Sequence, residues 1–361
     1  MLAYKLLTPG PLTTSTSVKA AMMVDHCTWD DDYKIITRDI RQQLLALAHA
    51  PNSDYTAVLM QGSGSFGVES VLTSVVKADE TVLVASNGAY GERIVDMLNY
   101  AGIKHVVLAQ PYHEPIDAAA IAAKLTAQPE IQHVVMVHCE TTTGILNDIA
   151  AVGKVVNAHQ KTFIVDAMSS FGGIDIPMPT WHIDYLISSA NKCIQGVPGF
   201  AFILAKRDKL AASKGHARSL SLDLHAQHEA MEQDGKWRFT SPTHTVLAFA
   251  QALKELEAEG GITARQQRYA SNNALLRQLL AEVNIRPYLK PEHQSPFIST
   301  FLFPHDDFDF AQLYAYVKAR GYAIYPGKLT EVDTFRLGNI GEIYAEDIVR
   351  VANIIKDFLQ E

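Results

Sequence analysis

Residues 162–192 read TFIVDAMSSFGGIDIPMPTWHIDYLISSANK and hold two short β-rich apolar runs, TFIVDA (162–167) and DYLISS (184–189). The first closes around Asp166, and the second is followed shortly by Lys192. Further runs of the same kind lie on either side: TAVLMQ (56–61), TVLVAS (81–86), HVVLAQ (105–110), HVVMVH (133–138) and FAFILA (200–205). The stretches between them, such as SFGVESVLTSVV and IDAAAIAAKLTA, repeat apolar residues at three and four positions without proline. Strands alternating with helices predict an α/β fold, a mostly parallel sheet covered by helices on both faces. In such a sheet ligands sit outside the carboxyl ends of the strands, so Asp166 and Lys192 can converge on one crevice.

After residue 206 the pattern changes to long helical segments, HTVLAFAQALKELEAE (244–259) and ITARQQRYASNNALLRQLLAEV (262–283), separated by the helix stop Glu259-Gly260-Gly261. A smaller α+β unit follows, built from FISTFLF, FAQLYAYVKARG, YAIYPG, TFRLGN and AEDIVRVANIIKDFLQ. We expect a large domain over 1–260, whose first twenty residues can pack on the second unit, and a small C-terminal domain over 261–361.

With 361 residues, 48% hydrophobic and 19% charged, the chain can bury a core of its own, which excludes disordered, collagenous and small disulfide-stapled classes. A formal charge of -8 argues against a nucleic-acid partner. The opening MLAYKLLTPG lacks an apolar stretch with a small-residue cleavage site, and no run approaches about 18 uninterrupted apolar residues. The expectation is a soluble, cytoplasmic chain with no membrane partner. Cys27, Cys139 and Cys193 have no spacing for a tetrahedral metal site and read as reduced thiols.

Gly62-Ser63-Gly64-Ser65-Phe66-Gly67 sits where a strand ends and a helix begins, a place that favours a phosphate. The dinucleotide reading of GxGxxG also needs an acidic residue at the end of the next strand, and that strand ends in Ser86, Asn87 and Gly88. A ligand with a single phosphate fits better. Pyridoxal phosphate uses all three features: a lysine amine for a Schiff base, a carboxylate for its ring nitrogen and donors for its phosphate. Taken singly each has an ordinary reading: a structural turn, a cap, a solvated lysine.

LLTPGPLTTS (6–15), CTWDDDY (27–33), MQGSGSFGVE (60–69), NGAYGER (87–93), HCETTTG (138–144), VDAMSSFGG (165–173), SSANKCIQGVPGFAF (188–202), WRFTSPTHT (237–245) and FRLGNIGE (335–342) together resemble the fold-type I, class V pyridoxal-phosphate aminotransferases, over nearly the whole chain. The resemblance implies a seven-stranded sheet in the large domain, and Lys192 as Schiff-base lysine and proton shuttle. It implies Asp166 on the pyridine nitrogen, Ser63, Gly64 and Ser65 on the phosphate, and Tyr90 stacked on the ring. Thr141 would meet the phenolic oxygen, its register open by one within Thr141 to Thr143. Thr240 would reach the phosphate across a homodimer interface, and Arg336 would grip the substrate anion. The CTWDDDY segment points to the branch that moves the amino group of 2-aminoethylphosphonate to pyruvate, giving phosphonoacetaldehyde and L-alanine.

Alanine:glyoxylate or serine:pyruvate transamination would use the same cofactor residues. A cysteine desulfurase needs a mobile cysteine, for which Cys193 is poorly placed, and a nicotinamide-dependent oxidoreductase or a binding protein without chemistry stands further off. For Arg336 the plain alternative is a surface ion pair with Asp333 or Glu342, and His26, His138 and His244 read as satisfied or solvent-facing.

Overall fold

A computed structural model describes residues 4–361. Seven runs form one sheet: β1 (Tyr55–Gln61), β2 (Thr81–Ser86), β3 (Lys104–Ala109), β4 (Ile131–Val137), β5 (Thr162–Asp166), β6 (Tyr185–Ser189) and β7 (Phe200–Lys206). The spatial order is β1-β7-β6-β5-β4-β2-β3. Only β7 runs against its neighbours; the pairs β6/β5, β5/β4, β4/β2 and β2/β3 are parallel. Strands covered on both faces need side chains that tolerate burial everywhere, hence unbroken apolar runs such as Phe163-Ile164-Val165, which are fully buried.

Helix α1 (Asp31–Leu47) precedes β1, and the crossover helices are α2 (Gly64–Val75), α3 (Ala89–Tyr100), α4 (Ala118–Ala127) and α5 (Ile149–Ala158). The glycine at position 67 lets α2 lie close on the sheet: a Cβ there would stand 2.7 Å from the Ala201 Cβ on β7. The CTWDDDY segment runs into α1, whose first turn carries Asp31 and Asp32.

Helices α6 (Thr243–Glu259) and α7 (Gly261–Ala281) meet at Gly260, where φ is +109°. Beyond them β8 (Ile298–Leu302), α8 (Phe310–Ala319), β9 (Tyr325–Pro326), β10 (Thr334–Gly338) and α9 (Ala345–Gln360) complete the chain. This part has its own apolar cluster, including Phe301, Phe335, Leu337 and Ile355, which also takes in Leu7. The chain start belongs partly to it: Lys5–Leu6 pairs in parallel with Tyr322–Ala323. A few residues later Ser15 and Ser17 bond Glu255 on α6, so the segment bridges both units. Residues 1–3 lie outside the described residues. No helix among those described is long and apolar enough to cross a membrane.

Candidate active site

The carboxyl ends of the parallel strands and the start of the reversed β7 share one edge of the sheet. There a cavity of about 220 Å³ is lined by Ser63, Gly64 and Ser65 after β1, Tyr90 after β2, Thr141 after β4, Asp166 at the end of β5 and Lys192 after β6. Met168, Asn191, Arg93, Pro198 and Gly199 complete much of its wall. Seven of the nine residues singled out in the sequence therefore meet at one place. Of the threonines in HCETTTG, Thr142 donates to Glu140 and Thr143 to the Tyr112 carbonyl, which leaves Thr141 facing the cavity.

Arg336 and Thr240 do not line this wall. Arg336 is 3% exposed. It donates from Nε to the Pro326 carbonyl at 2.9 Å and from Nη1 to the Thr141 carbonyl at 3.0 Å, one residue away from the cavity. The surface ion pair with Asp333 or Glu342 does not form; Glu342 instead accepts from Gln195 and Tyr344. Thr240 is exposed, beside exposed Phe239, in the loop before α6.

Lys192 lines the cavity and is half-buried. Its Nζ donates to the Pro9 carbonyl at 2.9 Å, and the next residue, Gly10, approaches so closely that a Cβ there would stand 2.5 Å from Nζ. Burial pulls the Lys192 amine below its ordinary pKa, against the opposing influence of Tyr90, Cys193 and Asp166. Asp166 accepts one bond, from the Met168 amide at 2.9 Å, and burial pushes its carboxyl up to about 6. The Tyr90 phenol runs the other way. Burial would raise it, yet the cations of Lys328 and Lys192 and a bond with Thr141 bring it below the usual range.

Three contributors escaped the sequence reading. Glu140, fully buried, accepts from the amides of Tyr90 and Gly91 at the start of α3. Arg93 sits with Cζ 4.8 Å from the Tyr90 ring centre, and Lys328 with Nζ 4.4 Å from it. Glu140 and Arg93 lie inside the quoted HCETTTG and NGAYGER segments, where a search for charged residues would have found them; Lys328 carried no local signal.

Cys193 is buried with Sγ donating to the Ser169 carbonyl at 3.3 Å, and burial pushes its thiol up, so it is no mobile nucleophile. His138 bonds Ser170 at 2.9 Å and is pushed down to about 4 by burial, while exposed His244 pairs with Asp25 and His26 with Asp32.

The signature of the aminotransferase class-V family matches residues 16–339. The chain belongs to the class V aminotransferases. It is 57% identical over 99% of its length to the 2-aminoethylphosphonate--pyruvate transaminase of Lysinibacillus sphaericus, covering 97% of that protein. To the protein of the same name from Salmonella paratyphi C it is 55% identical, over 98% of this chain and 97% of the relative. Among solved structures, pyridoxamine-pyruvate aminotransferase from Mesorhizobium loti superposes with a TM-score of 0.92 at 22% identity, over 100% of this chain and 93% of that one.

Class V aminotransferases work with pyridoxal phosphate, and the donor set of this aminotransferase fits that group. Burial lowers the Lys192 pKa, which favours the neutral, nucleophilic form of the amine. Buried Asp166, with a single main-chain donor, is short of a partner for its second oxygen. The first turn of α2 offers amides with no intrahelical acceptor, and the Ser63 hydroxyl makes no cap bond that would compete for them.

Proposed function

We propose that this class V aminotransferase moves the amino group of 2-aminoethylphosphonate to pyruvate, giving phosphonoacetaldehyde and L-alanine. The observation that carries the substrate assignment is the 55–57% identity, over nearly the full length, to proteins bearing that activity as their name.

Bound pyridoxal phosphate supplies a carbonyl for the amine and an electron sink for the carbon next to it. The Lys192 amine, whose pKa burial lowers, would hold that carbonyl and would carry at Nζ the proton of the amino-bearing carbon. Asp166, buried and already holding the Met168 amide, keeps its remaining oxygen for a ring N–H, whose positive charge would hold the carboxylate ionised. Ser63, Gly64 and Ser65 would hold the phosphate, Thr141 the phenolic oxygen, and Tyr90 the ring. Arg336 has Nε and Nη1 committed to main-chain carbonyls, so its plane is set and Nη2 is left for the substrate's anion.

The same reading makes the protein a cytoplasmic homodimer in which Thr240 of each chain serves the other's phosphate, with domains dividing near 260. Exposed Thr240 and Phe239, and three free cysteines that suit a reducing compartment, support it.

The test is a half-reaction followed by absorbance, with single amino donors added to the cofactor-loaded protein. 2-Aminoethylphosphonate and L-alanine should each convert the cofactor to its amine form, and Lys192→Ala should do neither while keeping its far-UV circular dichroism. Conversion by serine but not by 2-aminoethylphosphonate would move the assignment to serine:pyruvate transamination.

A further inference from the structure

Arg93, Lys328 and Arg336 gather around one phenol. The first two stand 4.8 and 4.4 Å from the Tyr90 ring centre, Lys328 Nζ lies 3.3 Å from its hydroxyl, and the Arg336 charge bears on the same side chain. Among the described residues none of the three forms an ion pair, whereas Arg265 and Arg268 of the same chain share Glu259. Arg93 is exposed, but buried Arg336 and half-buried Lys328 are drawn out of water without a counter-charge, which is costly, so this pair is suited to an anion that arrives with the ligand.

The three divide by position. Arg93 Nη1 lies 3.4 Å from the Ser65 hydroxyl, at the start of α2, on the side that suits the cofactor phosphate. Lys328 and Arg336 belong to one β-hairpin: Tyr325 pairs with Arg336 and Pro326 with Phe335, Gly327 donates to the Thr334 carbonyl at 2.9 Å, and Lys328 opens the connecting loop half-buried. The hairpin therefore presents two positive charges. The carboxylate of alanine or pyruvate brings one negative charge, whereas a phosphonate dianion brings two, on a tetrahedral head one bond further from the amino-bearing carbon. One arginine is enough for the carboxylate and leaves the second phosphonate charge unmatched.

We propose that Lys328 is the specificity-determining residue of this site: Arg336 engages the anion of either substrate, and Lys328, released from the Tyr90 hydroxyl, pairs with the second charge that only the phosphonate carries. The assignment rests on the reading of the substrate given above and extends it to a particular side chain.

The test uses the cofactor-loaded enzyme and two unreactive ligands, ethylphosphonate and propionate, titrated calorimetrically into wild type, Lys328→Met and Lys328→Arg. Lys328→Met should weaken ethylphosphonate about tenfold and propionate less than threefold, with Lys328→Arg recovering most of the loss. In the half-reaction the ratio of kcat/KM for 2-aminoethylphosphonate to that for L-alanine should fall about tenfold in Lys328→Met. Equal weakening of both ligands, or unchanged ethylphosphonate affinity, would overturn the assignment of Lys328 even with the phosphonate reaction intact. A wild type that fails to convert with 2-aminoethylphosphonate would instead overturn the substrate reading beneath it.

Discussion

Two helices begin side by side at the carboxyl edge of the sheet, and their N-termini are treated in opposite ways. Neither is capped by its own preceding residue, Ser63 for α2 or Gly88 for α3. At α3 the exposed amides are claimed from a distance: Ala89 donates to the Thr142 hydroxyl at 3.0 Å, and Tyr90 and Gly91 donate to Glu140 Oε2 at 3.1 and 3.2 Å. At α2 the start residues Ser63, Gly64 and Ser65 line the cavity. A helix start attracts an anion, and here the chain supplies its own anion at one start and leaves the other for a ligand.

The two buried carboxylates of the site divide in the same way. Glu140 accepts four bonds, the other two coming from the Thr142 amide at 3.1 Å and hydroxyl at 2.6 Å. Burial pushes its pKa up, but every polar neighbour is a donor, so only the ionised form satisfies them all. Asp166 has one donor, and burial pushes its carboxyl up to about 6. The saturated carboxylate is a structural fixture, and the undersupplied one awaits a partner.

The strongest way to break this contrast is Glu140→Gln, which turns an NH2 group toward amides that need an acceptor. We expect a loss of about 4 kcal/mol, read from denaturant unfolding, because buried donors are left unpaired. A variant as stable as wild type would make the two helix starts equivalent.

Next in size is the pH response of the apoprotein. Asp166 rises from about 3.9 when unfolded to about 6 in the fold, so the fold favours its protonated form. Its contribution is fully present below about pH 4 and is lost as pH rises through 6, a fall of about 3 kcal/mol at neutrality. Melting temperatures of apoprotein and Asp166→Asn between pH 4 and 7 should therefore diverge, with the variant gaining on wild type as pH increases. Parallel curves would mean that Asp166 is no less satisfied than Glu140.

Ser65→Ala probes the open helix start. Stability without cofactor should change by less than about 0.5 kcal/mol, since the Ser65 hydroxyl only accepts a long bond from exposed Arg93 at 3.4 Å, while affinity for pyridoxal phosphate, measured by equilibrium dialysis, should drop about tenfold. A large loss of apoprotein stability would mark this end as structural too. The smallest effect belongs to Thr240→Ala, expected to trim the cofactor-induced rise in melting temperature by a degree or two, corresponding to about 0.5 kcal/mol. An unchanged rise would show that α2 is completed without a second chain.

Much of this was legible in the sequence. The seven strands follow the apolar runs closely because six are buried along nearly their whole length, the edge strand β3 being only partly covered, and the motif residues at their ends were carried to one edge by the parallel order. The HCETTTG segment was legible as a unit but not residue by residue. Thr141 faces the cavity, whereas Thr142 and Glu140 turn to α3, a division made by the short hairpin pairing Cys139 with Leu146 and Glu140 with Ile145. Arg336 could be located as an arginine on a strand, but not as a buried one held by the Thr141 carbonyl.

What the sequence determined by itself is therefore the material of local order: periodicity, chain reversals, and which residue types stand at strand ends, all set by interactions within a few positions. Only the tertiary structure decided which helix start is closed and which stays open, and that Lys328 reaches Tyr90 across 238 positions. Those outcomes depend on partners brought together by the packing of separate elements, and a pairing between distant residues leaves no period in the chain.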